Sequence, residues 1–77
     1  MKKQELLKII DNDLLDHLVG FCYARTNDSY AAQELCSDII FALTKAANSE
    51  GEIENPYPFI WKIARNVYAD FSEKRRR

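Results

Sequence analysis

A chain of 77 residues has room for one domain with a small core, and its stability depends on how well a few helices pack. Hydrophobic residues at 47% and charged residues at 30%, with only two glycines and two prolines, exclude an extended disordered chain and favour an all-α domain. The net charge of −1 hides a polarity: residues 1–54 carry five Lys or Arg against ten Asp or Glu, and residues 55–77 carry six against two. An acidic body discourages indiscriminate wrapping on nucleic acid, while the basic end is either a phosphate-attracting surface or a solvated tail ending in KRRR.

The opening KKQELLKII sets Leu6, Leu7, Ile9 and Ile10 at helical spacing and predicts a short first helix. Asp11 or Asn12 then caps a second helix, which runs from Asp13 to about Arg25. Its Leu14, Leu15, Leu18, Val19, Cys22 and Tyr23 recur at three and four and read as one buried stripe. Asn27 suits a left-handed stop, and Asp28 or Ser29 can accept the free N–H groups that open the third helix, about Tyr30 to Ala47. That helix has a wide apolar face of Ala32, Leu35, Cys36, Ile39, Ile40, Leu43 and Ala46. On its opposite face Glu34, Ser37, Asp38 and Lys45 surround Phe41. NSEGEIE, residues 48–54, is the longest loop and the expected mobile element. Asn55 caps a fourth helix, with Pro56 at its first position and Pro58 still inside the first turn, where a missing N–H breaks no helical bond.

No apolar run approaches the roughly 20 residues that cross a bilayer. The start of the chain lacks the apolar segment of a secretory signal, so a cytoplasmic protein with no membrane partner is expected. Cys22 and Cys36 have neither further Cys nor His at ligand spacing, which indicates no zinc site and no disulfide framework; both are expected to be buried packing thiols. His17 is the single histidine, and no nucleophile has a partner at readable spacing, so neither an enzyme nor a cofactor is expected.

The fourth helix carries an inward rail of Phe59, Ile60, Ile63, Ala64, Val67 and Phe71. Tyr57, Trp61, Arg65 and Tyr68 follow its outer side at spacings of three and four, with Lys62, Asn66 and Asp70 along another edge. Rings interleaved with cations suit unpaired nucleic acid, since each base offers a face for stacking and each phosphate a charge to neutralise. The same pattern also arises when Trp61 and Tyr68 cover the rim of a small core with amphipathic rings. Periodicity leaves both readings open.

The stretch NPYPFIWKIARNVYAD resembles the helix NPRAWLYRIARNLAID that commonly ends the second conserved region of bacterial sigma factors of the extracytoplasmic-function group. Upstream, AQELCSDII resembles that family's AEDLVQEVF, and TND its TGD, at the expected separation. The resemblance covers residues from about 13 to 77. Ser37, Pro58 and Phe59 stand where the family usually has Gln, Ala and Trp. The resemblance implies that the third helix docks on the clamp helices of the largest subunit of core RNA polymerase through Glu34, Ser37, Asp38 and Phe41. It further implies that the fourth helix and the loop before it hold the non-template strand of the minus-ten promoter element open. In that role Asn66 lines a pocket for a flipped base, Lys62 and Arg65 contact phosphate, and Tyr57 and Trp61 stack or wedge at the point of opening. An anti-sigma factor is a further partner that the resemblance admits.

The sequence thus predicts a compact bundle of four helices, residues 1–77 forming a single helical domain of the sigma region 2 type. The second helical domain of such factors, which reads the upstream promoter element, is expected to be absent from this chain. The alternative is a helical protein-interaction module whose aromatic face binds a partner helix without DNA. Salt separates the two, because counterion release weakens a DNA contact as salt rises and leaves an apolar contact nearly unchanged.

Overall fold

The computed structural model describes residues 1–75; Arg76 and Arg77 of the KRRR tail lie outside the described residues. An N-terminal 3-10 helix, Lys3–Ile9, leads into three α-helices: α1 (Asn12–Thr26), α2 (Ser29–Ala47) and α3 (Pro56–Arg75). The fold is all-α, as the composition and periodicity indicate. Each boundary has a local cause. Asp11 accepts from the N–H of Leu14 at 2.9 Å and starts α1. Asn27 closes it in the left-handed region at φ 53°, with its N–H on the carbonyl of Tyr23. Asp28, rather than Ser29, caps α2 by accepting from Tyr30 at 3.2 Å, and Asn55 accepts from Tyr57 at 3.3 Å at the start of α3.

α2 is the central element, packed against the 3-10 helix, α1 and α3. It contributes Ala31, Ala32, Leu35, Ile39, Leu43 and Ala47 to the core. Leu14, Leu18 and Cys22 join from α1, and Ile60, Ala64 and Phe71 from α3. No polar or charged side chain is buried among the described residues, so the core is held by apolar burial alone. The molecule measures 36 × 26 × 16 Å, a slab with little depth behind either broad face.

Three expectations change. Only the centre of the α1 stripe is buried: Val19 and Tyr23 are 40% and 42% exposed, because α2 crosses against the Leu14, Leu18 and Cys22 line and leaves that flank open. The first helix is 3-10 rather than α, and three residues per turn put Lys3, Leu6 and Ile9 on one edge, with Leu6 in the core and Leu7 outside. The 48–54 loop is anchored in its second half. The N–H of Lys3 donates to the carbonyl of Gly51 at 3.1 Å, the N–H of Ile53 donates to Met1 at 2.6 Å, and Ile53 itself is buried. Gly51 adopts φ 132°, a conformation that L side chains rarely take, which allows the loop to meet the N-terminal strand-like segment.

Candidate nucleic-acid interface

α3 lies beside α1 with their N-termini at the same end, and the cleft between them changes character along its length. At the N-terminal end, Tyr57 and Trp61 share a cleft of about 450 Å³ with Asp11, Asp13, Leu14 and His17. Midway, the Phe21 ring of α1 meets Trp61 edge-on at 5.6 Å and Tyr68 at 6.1 Å. Trp61 and Tyr68 are therefore half-buried rings that seal the rim of the core, each worth about 0.5–1.5 kcal/mol beyond its buried area. Tyr57, at 53% exposure, is the ring that faces solvent. At the C-terminal end the guanidinium of Arg25 covers Phe21 at 4.8 Å and Tyr68 at 5.9 Å.

Lys62, Arg65 and Asn66 are exposed, and among the described residues their side chains make no hydrogen bond or ion pair. Arg65 follows Trp61 one turn on, whereas Lys62 and Asn66 lie a turn apart on the side away from α1. The loop and the start of α3 form a further cleft, lined by Ile53, Glu54, Asn55, Pro58 and Phe59. Asn66 stands two helical turns past Phe59, about 10 Å along the axis, so the fold does not bring it to the mouth of that cleft. Three acids at the start of α1, Asp11, Asp13 and Asp16, make the Tyr57 end electronegative, whereas Lys62 and Arg65 make the outer side of α3 basic.

The four α2 candidates divide. Ser37 and Phe41 line an apolar groove of about 730 Å³ together with Val19, Tyr23, Cys36 and Ile40. Phe41 is 66% exposed, with the Lys45 ammonium 5.6 Å from its ring centre. Glu34 turns instead toward α3 and pairs with Arg75 at 3.8 Å; with both side chains about half exposed, that contact is worth at most about 1 kcal/mol. Asp38 is exposed and outside the groove. Val19, Tyr23, Phe21 and Arg25 are site-forming residues that periodicity placed in the core or passed over. Their signal was present, since His17, Phe21 and Arg25 recur every four residues as a second stripe flanking the buried one. Cys22 is buried and Cys36 partly so. Burial, the neighbouring Cys36 and a hydrogen bond with it push the Cys22 thiol up to about 12, so it is protonated and inert at neutral pH. No group of metal-ligating side chains is assembled among the described residues, and no described helix is long and apolar enough to cross a membrane.

Comparison with known families matches residues 10–77 to the model described as Sigma-70 region 2. No curated protein and no solved structure matches the chain.

Proposed function

Because the chain belongs to the sigma-70 region 2 family, whose members bind core RNA polymerase and recognise the minus-ten promoter element, we propose that its two broad faces divide those tasks. The α2 face, with Ser37 and Phe41 in the groove and Glu34 and Asp38 beside it, takes the clamp helices of the polymerase's largest subunit. An apolar centre ringed by polar groups is the composition of a protein interface. The α3 face takes the non-template strand. Tyr57 stacks on an unpaired base, Trp61 supports it from the rim of the core, Lys62 and Arg65 hold phosphates, and Asn66 reads a base edge. The motifs quoted above support the extracytoplasmic-function group as the finer assignment, with residues 1–77 as a single helical domain, action in the cytoplasm and an anti-sigma factor as a further partner.

The observation that carries this reading is the arc of α3 on which Lys62, Arg65 and Asn66 stay exposed and uncommitted, with the solvent-facing ring of Tyr57 at the N-terminal end of the same helix. The test is fluorescence-detected opening of minus-ten variants by holoenzyme reconstituted with this chain. Lys62→Ala and Arg65→Ala are expected to weaken all sequences alike and to lower the salt slope by about 1 each. Asn66→Ala is expected to keep general affinity and relax the preference at one position. Normal opening by the Lys62 and Arg65 variants, with full base preference in Asn66→Ala, would remove α3 as the DNA-reading element.

A further inference from the structure

At the C-terminal ends of α1 and α3 a smaller cleft of about 270 Å³ is lined by Arg25, Thr26, Tyr68, Ser72 and Arg75. We propose that it binds a backbone phosphate of double-helical DNA flanking the melted stretch, with Arg25 as its fixed donor; the inference rests on the promoter-binding reading above and adds a contact on α1 to it.

Three observations converge. Arg25 lies over two rings, 4.8 Å from Phe21 and 5.9 Å from Tyr68, and its side chain lines the cleft. Among the described residues it pairs with no carboxylate, so its charge is uncommitted. Arg75 lies over Phe71 at 5.4 Å and holds Glu34 only loosely at 3.8 Å, a contact that a phosphate can displace. Two helix C-termini meet here, and their partial negative charge accounts for one cation nearby. It does not account for Arg25, Lys74 and Arg75 together, followed in the sequence by Arg76 and Arg77.

The choice of duplex over single strand follows from the rings. Tyr68 and Phe21 are covered by Arg25 and by each other, so this end has no open aromatic face on which an unpaired base could stack. What it presents is charge and hydroxyl, the chemistry of backbone contact. Its distance from the opening point is set by α3: Arg25 lies over Tyr68, seven residues and about 10 Å along the helix from Trp61, or about three base steps of duplex.

The experiment uses the chain bound to core RNA polymerase and fork-junction DNA with single neutral methylphosphonate linkages scanned through the duplex arm. For the wild type, neutralising the linkage about three steps from the fork is expected to weaken binding about threefold to tenfold. Arg25→Gln is expected to weaken binding to unmodified DNA by the same factor, to become insensitive at that linkage alone, and to lower the salt slope by about 1. Arg25→Lys should fall between, keeping the charge and losing the planar stack. Trp61 is the single tryptophan, and its unchanged emission in both variants would verify that the Phe21 cluster is intact. Wild-type affinity in Arg25→Gln, or a loss spread over every linkage with an unchanged salt slope, overturns the proposal. Absence of any minus-ten preference in the wild type would instead overturn the promoter reading on which it rests.

Discussion

On one flank of α1, Val19 and Tyr23 look across a groove at Ser37 and Phe41 of α2; on the other, Phe21 meets Trp61 and Tyr68 of α3 edge-on and Arg25 lies over Tyr68. The first flank leaves its apolar groups without a partner inside the molecule. The second satisfies its rings internally and leaves only charge outside. A surface of the first kind gains from excluding water with another protein, and one of the second kind gains from neutralising phosphate, so a single helix with one buried stripe separates two kinds of surface.

The comparison is broken most completely by removing what the faces share. Leu18 is fully buried, and Leu18→Ala is expected to cost about 2–5 kcal/mol, read as a fall in the urea midpoint with both faces lost together. Survival of polymerase binding without DNA binding in that variant would show that the faces do not rest on one cooperative core. Phe21→Ala separates them. It takes away the ring on which Trp61, Tyr68 and Arg25 lean, and is expected to cost about 2 kcal/mol, shift Trp61 emission to the red and impair DNA binding while polymerase binding persists. Phe41→Ala is the converse. At 66% exposure it should leave stability within about 0.5 kcal/mol and weaken polymerase binding by about 1–2 kcal/mol in a pull-down titration. Gly20 sits on the solvent side of α1 between the flanks, with nothing within 4 Å of an added Cβ. Gly20→Ala is therefore expected to raise stability by about 0.5–1 kcal/mol in thermal unfolding and to alter neither face.

Much of the fold was legible because its causes are local. The side chains of Asp11, Asp28 and Asn55 mark helix starts by accepting from backbone N–H groups two or three residues on, Asn27 marks an end by taking the left-handed conformation, and the apolar periods of α2 and α3 name most of the core. What escaped is what depends on how neighbours cross. Periodicity gives the angle of Val19 and Tyr23 on α1 but not how far α2 reaches over them, so a flank of the stripe became the wall of a groove. It likewise set Trp61 and Tyr68 on the outer side of α3 without revealing that Phe21 would meet them there. The tie between Lys3 and Gly51 joins segments almost fifty residues apart, and no local pattern announces it. Glu34 was grouped with Phe41 by its position on the helix, but its carboxylate reaches Arg75 on a different element.

The anchoring of the 48–54 loop bears on the speed and cost of recognition. A free loop of this length must surrender conformational entropy when a ligand arrives, at roughly 1–2 kcal/mol for each residue that becomes fixed. Here backbone bonds from Met1 and Lys3 hold Gly51 and Ile53, and the Ile53 side chain is already in the core. The second half of the loop is thus ordered in the free chain, so a strand that bound in the cleft beside Pro58 and Phe59 would not bear that cost again.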